Sequence, residues 1–436
     1  MSERFPSEPP ALRIIRSAPP SRPPGPKEAH KGPLLGKQVL LIVTGSVAAY
    51  KAPLLVRLFK KAGAEVDVIL TRSAQNFVGA ATFSGLTGRP CHTDMWDAQA
   101  AGEKHVELAR EADLIVVAPA TADFISRMAQ GRADDLAAAT ALCATCPVLL
   151  APAMHPNMWG HPATQRNVTV LESDGRVERL GPTHGEVASG ETGVGRMVEP
   201  EEIASRAVSR LSPRDLVGRH VVVTAGPTLE DLDPVRFIGN RSSGKMGYAI
   251  AERAAARGAR TTLISGPTSL KTPQGVHRVD VRSAIAMRSA VWQALGPDLA
   301  MADALIMAAA VGDYRPTEMR ATKIKREADT VQLDLAKNPD ILAEVGKARS
   351  ARRPTLVGFA VETDSDDKVA EYARKKLEQK RCDVVVANHA DDAFGKDDNR
   401  ITLVTAKDVE PLPRLSKYQL ADHILDWVAK RVGASA

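Results

Sequence analysis

The stretch Asp233–Gly247 limits what this chain can become more than any other. It follows an apolar run, Val221–Gly226, and precedes a helical pattern from Tyr248 to Arg257. A strand, a glycine-rich loop and a helix in that order build an anion site. N–H groups at a helix N-terminus point outward, and the helix dipole favours negative charge there. Gly239, Gly244 and Gly247 let the backbone approach a ligand or turn through positive φ. Ser242, Ser243, Gly244 and Lys245 form the candidate phosphate loop. Gly239 to Lys245 fits the spacing of a P-loop, but Met246 stands where a Ser or Thr would hold Mg²⁺. The loop also starts well after the strand, which excludes an ordinary P-loop nucleoside triphosphatase. On spacing alone, an anion-binding loop and a solvated surface loop both stay open.

Apolar runs alternate with helical segments along the rest of the chain. The first half has Lys37–Thr44, Ala64–Thr71, Asp113–Pro119 and Cys146–Pro152. The second has Val221–Thr224, Ala259–Ile264, Leu305–Val311, Pro354–Ala360 and Cys382–Asn388, with Arg400–Thr405 as an edge strand. An amphipathic helix covers Ser416–Val432. This alternation predicts an α/β protein with two doubly wound, mainly parallel sheets. Ligands should then lie outside the C-terminal ends of the strands. Residues 1–35 are rich in Pro and basic residues and lack the apolar core of a signal peptide, so they read as a disordered tail. The expected division is 36–208, a linker at 209–217, and 218–436, with a helix from Pro200 to Ala207 closing the first domain.

A net charge of +6 over 436 residues does not demand nucleic acid and suits phosphorylated anions. No apolar run is long enough to span a bilayer. Four cysteines, Cys91, Cys143, Cys146 and Cys382, are too few for a disulfide framework, which fits a reducing cytoplasm. Cys143 and Cys146 read as buried thiols on an Ala-rich segment.

Chemistry gathers at strand ends. Thr44-Gly45-Ser46, Thr71–Ser73 and Pro119–Asp123 end three first-half strands with small polar residues. There is no G-x-G-x-x-G, which favours a mononucleotide phosphate over a dinucleotide. Any one of the three alone would be an ordinary turn or helix cap. In the second half, Asp313 lies just past a strand, fit for a ribose hydroxyl or Mg²⁺. Lys323 and Lys325 sit on a polar loop, and Asp340 lies near a helix N-terminus. Phe359 can stack on a base, and Lys376 and Lys380 share a helix face. Each lysine alone would be an ordinary solvated side chain.

The order Thr224–Thr228, Asp233–Ile238, Asn240–Gly247 resembles the phosphopantothenate–cysteine ligase family. The three first-half turns, His105–Leu108 and Pro152–Trp159 resemble the FMN-binding cysteine-decarboxylase flavoproteins. Over roughly residues 36–430, the chain is similar to the bifunctional family joining both. The resemblance implies FMN at Gly45, Ser46, Thr71, Ser73, Pro119, Ala120 and Thr121. It implies His105 and Ser189 as catalytic residues, and His155 and Met158 as substrate contacts. It places Ser189 on a mobile flap, Pro182–Met197. It implies CTP and Mg²⁺ in the second half, with Asp313 as the metal-binding residue. CTP would meet Met307, Ala308, Ala309, Asp313, Lys323, Pro339, Asp340, Ile341, Leu342, Phe359, Lys376 and Lys380. Lys323 and Asn240 would be catalytic, Asn240 holding an acyl-cytidylate. The implied substrates are 4′-phosphopantothenate, cysteine and CTP. The implied assembly is a homo-oligomer with flavin sites between subunits, without nucleic-acid or membrane partners. Flavin has a chemical reason to be there: oxidising the cysteine thiol creates an electron sink beside the carboxylate.

Two positions depart from the family. His155 stands where the family has Asn, and Ser189 where it has a proton-donating Cys. A thiol titrates near about 8.5, and a serine hydroxyl is a far weaker acid. Two other readings therefore stand beside the bifunctional enzyme. One is a ligase whose flavin domain does not complete decarboxylation. The other is a non-enzymatic flavin-binding regulator, against which Lys323, Asp340 and Lys376 count.

Overall fold

The computed structural model describes residues 32–96, 103–323, 332–350, 353–362, 366–389 and 398–433. Residues 1–31 of the expected tail and Lys325 lie outside the described residues. Leu34, assigned above to the tail, is 1% exposed within the first core, and its N–H donates to the Ala62 carbonyl at 2.7 Å.

The first sheet contains β1 (Gln38–Val43), β2 (Glu65–Leu70), β3 (Cys91–His92), β4 (Leu114–Ala120), β5 (Val148–Pro152) and β6 (Val177–Arg179). Their spatial order is β3-β2-β1-β4-β5-β6, and every pairing is parallel. β1 and β4 are continuous apolar runs because helices cover both faces of a parallel sheet. Two apolar clusters result, one on each face. Leu41 and Val43 belong to one, Leu40 and Ile42 to the other. A hairpin of β7 (Thr183–Glu186) and β8 (Thr192–Arg196) stands apart from this sheet.

The second sheet is built on β9 (His220–Ala225). The expected loop after it contains a hairpin of its own, β10 (Leu229–Asp231) and β11 (Phe237–Gly239). Then come β12 (Arg260–Ser265), β13 (Val276–Asp280) and β14 (Ala304–Met307). A second small hairpin pairs β15 (Tyr314–Pro316) with β16 (Leu335–Lys337). The chain ends with β17 (Thr355–Glu362), β18 (Val384–His389), β19 (Asp398–Asn399), β20 (Ile401–Val404), β21 (Val409–Pro411), β22 (Leu415–Ser416) and the helix Lys417–Gly433. The sheet order is β13-β12-β9-β14-β17-β18-β20-β21. It is parallel through β18, then antiparallel.

Three expectations need correction. Ile401–Val404 is not the edge strand, because β21 returns and pairs outside it. The helix at Pro200 runs to Leu211, four residues beyond Ala207. Cys143 is exposed and Cys146 half-buried rather than both buried, because Cys143 ends the helix Leu136–Cys143 and Cys146 lies in the bend after it. The linker is anchored: the buried Arg257 holds Asp215 through two guanidinium nitrogens, at 2.9 and 2.5 Å.

In each sheet the chain crosses to opposite sides of one central strand. β1 lies between β2 and β4, and β9 lies between β12 and β14. Loops leaving neighbouring strands diverge at such a point and open a crevice.

Candidate active sites at the two switch points

The first crevice is held open by hydroxyls. Thr44, 1% exposed, donates to the Pro119 carbonyl at 2.7 Å and accepts the Thr121 N–H at 3.0 Å. Thr121 in turn caps the helix Ala122–Ala129, accepting from Phe124. Ser46 caps the short turn Val47–Lys51, accepting from Ala48. Gly45 cannot be larger: a Cβ there would lie 2.4 Å from the Ser73 Cβ. Gly45, Ser46, Thr71, Ser73, Thr121 and Met158 line a cavity of about 330 Å³. Pro119 and Ala120 are buried beneath this wall. The Ala120 carbonyl accepts the Ala153 N–H at 3.0 Å.

A second cavity, about 370 Å³, adjoins the first and shares Ser46, Ala153 and Met154 with it. His155 and Ser189 line it, as do Lys51 and Arg196. The structure thus brings the two departing residues to one space. Met158 stands in the hydroxyl cavity, away from His155's. His105, in the first turn of the helix Lys104–Glu111, lines neither cavity of its own chain.

Sequence reasoning missed four charged residues here. Lys51 is nearly buried and pairs with Glu199 at 3.0 Å. That hydrogen bond holds the Glu199 carboxyl below its ordinary range. Arg127 lines the hydroxyl cavity and is gripped by Asp135 at 2.7 Å and Asp123 at 3.2 Å. The i, i+4 spacing of Asp123 and Arg127 was the available signal. Glu191, on the flap, approaches His155. Nothing local in the sequence marks Lys51 or Glu191.

The second crevice joins the glycine-rich loop to the crest of β14. Gly244 has φ +75° and caps the helix Lys245–Ala256, a backbone that disfavours any side chain. Its N–H donates to the Ser242 hydroxyl at 3.3 Å. Ser243 is exposed and Lys245 half-buried. Asn240 donates to the Val311 carbonyl at 3.0 Å. Thr224 accepts the Ala309 N–H at 3.2 Å, and Thr228 accepts the Gly312 N–H at 2.9 Å. These bonds order Ala308–Asp313, leaving the Asp313 side chain exposed. Asn338 continues the network, donating to the Gly312 carbonyl at 2.8 Å.

The lysines arrive from the far side. Asp340 caps the helix Ile341–Ala348 through the Ala343 N–H and also pairs with Lys380. Lys376 donates to the Phe359 carbonyl at 2.6 Å. Phe359 lies within β17 and is half-buried. Pro339 is half-buried before this helix. Met307, Ile341 and Leu342 are buried in the second core. Lys323 is exposed at the end of a described stretch. Among the described residues, no group of three or more His, Cys, Asp or Glu is placed to hold a metal. No helix of the described residues is long and apolar enough to cross a membrane.

Comparison with known proteins identifies a family for each half of the chain. Residues 27–212 match the flavoprotein family, and residues 216–432 match the DNA/pantothenate metabolism flavoprotein C-terminal domain. The coenzyme A biosynthesis bifunctional protein CoaBC of Vibrio cholerae is 43% identical over 405 residues, 92% of this chain and 99% of that protein. Its counterpart in Mycobacterium tuberculosis is 47% identical over 407 residues, 90% of this chain and 96% of that protein. Among solved structures, the C-terminal domain of a CoaBC protein is 38% identical, with a TM-score of 0.43 over 51% of this chain and 99% of that one. The chain belongs to the family of bifunctional coenzyme A biosynthesis proteins, a flavoprotein decarboxylase domain followed by a ligase domain.

Proposed function

We propose that the unit from about residue 218 onward joins 4′-phosphopantothenate to cysteine with CTP, and that the unit at 36–208 decarboxylates the product with FMN. The observation that carries the ligase assignment is the Asn240–Val311 bond, which sets the glycine-rich loop against the Ala308–Asp313 crest. A carboxylate resists amine attack and must first be activated. The phosphopantothenate carboxylate attacks the α-phosphate of CTP, expelling pyrophosphate and giving an acyl-cytidylate. The loop N–H groups, Lys245, Lys323, Lys376 and Lys380 offset the phosphate charge. Asn240 holds the mixed anhydride while the cysteine amine attacks, releasing CMP and forming the amide. The backbone groups of Met307 and Ala308–Ala309 and the segment Pro339–Leu342 border the nucleotide, with Phe359 against the base. A single exposed Asp313 fits a Mg²⁺ carried in by the phosphates, because Mg²⁺ needs only one or two protein carboxylates.

The hydroxyl cavity fits the flavin's phosphate. Gly45 lets its backbone pack against Ser73, where a Cβ would collide, and Ser46, Thr71, Ser73 and Thr121 line the cavity with it. Bound flavin would supply the two-electron oxidation that creates the sink for decarboxylation. The chain's own residues do the rest. His155 and Lys51 orient the substrate's anionic groups, and the flap excludes water. His105 lies outside the cavities of its own chain, which suits a homo-oligomer in which it reaches a neighbour's site. All four cysteines are free thiols, the state a reducing cytoplasm maintains.

Ser189 in the larger cavity favours a second reading, in which decarboxylation stops before the final protonation. Mass spectrometry of products from 4′-phosphopantothenate, cysteine and either CTP or ATP tests all of this. The expected products with CTP are CMP, pyrophosphate and 4′-phosphopantetheine. An amide without loss of carbon dioxide would leave a ligase alone. AMP formed as readily as CMP would remove the nucleotide preference.

A further inference from the structure

Lys51 and His155 both line the larger cavity, and each already holds a glutamate. The two pairs are built differently. Lys51 reaches both carboxylate oxygens of Glu199 at 3.0 Å, and Arg196 grips the same carboxylate at 2.6 Å. That is a fixed anchor at the base of the flap. His155 makes a single contact: Nε2 lies 2.5 Å from Oε2 of Glu191, whose side chain is 61% exposed. The opposite ring nitrogen is committed. Nδ1 accepts the Asn157 N–H at 3.2 Å as the cap of the helix Pro156–Gly160. The ring proton of neutral His155 therefore sits on Nε2, the atom facing Glu191.

Glu191 lies two residues past Ser189 and immediately before β8. Its carbonyl accepts the Val187 N–H at 2.9 Å, closing the turn at the flap tip. We propose that Glu191 is a displaceable stand-in for the substrate carboxylate, occupying His155 Nε2–H until the cysteine-derived carboxylate of phosphopantothenoylcysteine takes that donor. This rests on the decarboxylase reading of the domain. One N–H donates one strong hydrogen bond, so the two carboxylates cannot both be served. An exposed single-point pair contributes little and exchanges readily with solvent, whereas Glu199 is held by two cations, Lys51 and Arg196. The incoming carboxylate also repels Glu191 and shifts the flap tip away from His155. Once carbon dioxide has left, the ligand has no carboxylate. Glu191 then regains His155, which favours release of the product.

The test uses full-length flavin-loaded protein and two ligands that cannot be oxidised to a thioaldehyde. One is the serine analogue of phosphopantothenoylcysteine, which keeps the carboxylate. The other is the matching ethanolamine amide, which lacks it. Dissociation constants are measured by calorimetry for the unmodified chain, Glu191→Gln and Glu191→Ala. Both variants should bind the serine analogue about two- to fivefold tighter, with the ethanolamine amide unchanged. Equal or weaker binding of the serine analogue by both variants would overturn the proposal and leave the decarboxylase reading standing. Tightening of both ligands alike would overturn it too, because carboxylate competition would then not be the cause. If the unmodified chain binds neither ligand, the decarboxylase reading falls and this proposal with it.

Discussion

The Asn240 side-chain amide donates to the Val311 carbonyl at 3.0 Å, fastening the glycine-rich loop to the crest beyond β14. The two partners are 71 residues apart and meet because β9 and β14 are neighbours. Asn240 is exposed, so the bond contributes only about 1 kcal/mol to folding. Its consequence for positioning is larger. Asn240→Ala should lower CTP-dependent amide formation about tenfold or more, with melting temperature and flavin content nearly unchanged. An unaltered rate would remove Asn240 from the ligase site.

Lys323 is exposed beyond the Asp313 crest. If its charge acts on the transferring phosphoryl group, Lys323→Gln keeps the side-chain size and loses the function. Amide formation should fall by about a hundredfold or more, and the protein should still purify with flavin. Full ligase activity in the variant would exclude Lys323 from the mechanism.

The flap base should respond to acid. Glu199 is held below the ordinary carboxyl value of 4.5 by the hydrogen bond from Lys51. A depressed carboxyl stabilises the fold above its unfolded value and loses that contribution as pH falls through its folded value. The Lys51–Glu199 anchor is therefore complete at neutral pH. Glu199→Gln should melt slightly below the unmodified chain there, and the difference should close as the pH falls below the ordinary carboxyl value. The gap should be small, because Glu199 is 52% exposed and water screens the pair. A gap that widened on acidification would contradict the sign.

The thiols should separate by burial. Burial pushes Cys382 and Cys91 up to about 12, so both stay protonated and unreactive at neutral pH. Cys143 is exposed. A disulfide reagent at about pH 8, followed by peptide mass mapping, should modify Cys143 first. Cys382 should react only after denaturation. Equal rates for Cys143 and Cys382 would show that the segment leading into β18 opens readily.

Much of this was legible in the sequence. β1 and β9 announced themselves as unbroken apolar runs because both faces of a parallel strand are buried. Thr44, Thr71 and Thr121 were legible because each ends such a run, where a switch-point crevice must open. Lys51 was not, because its partner Glu199 is 148 residues away and no local pattern links them. Asp340 and Lys380 each drew notice, but only the packed helices reveal their pairing. The β10–β11 hairpin was hidden because the glycines around it signalled a ligand loop as strongly as a turn. The true edge strand, β21, is three residues long and contains Pro411, too little apolar pattern to register.

Ser189 is exposed on the flap and lines the same cavity as His155. After carbon dioxide leaves, the enethiolate must gain a proton at one carbon of its double bond and a hydride at the other. A thiol, titrating near about 8.5, is a better matched acid for that step than a serine hydroxyl. Ser189→Cys should therefore form saturated 4′-phosphopantetheine at least as fast as the unmodified chain. Ser189→Ala separates the remaining cases. A normal rate in that variant would show that the hydroxyl is not the donor and that water or another acid protonates the carbon. A slowed rate with accumulated unsaturated enethiol would place the donor at Ser189. The unmodified chain should complete turnover and return its flavin to the oxidised state, followed by flavin absorbance and product mass together. Enethiol with flavin left reduced would mean that the domain performs only the oxidative half. Neither carbon dioxide nor flavin bleaching would leave the ligase as the sole activity. Complete turnover is expected, because the hydroxyl cavity, the Lys51–Glu199 anchor and His155 are assembled around the position where the substrate would lie.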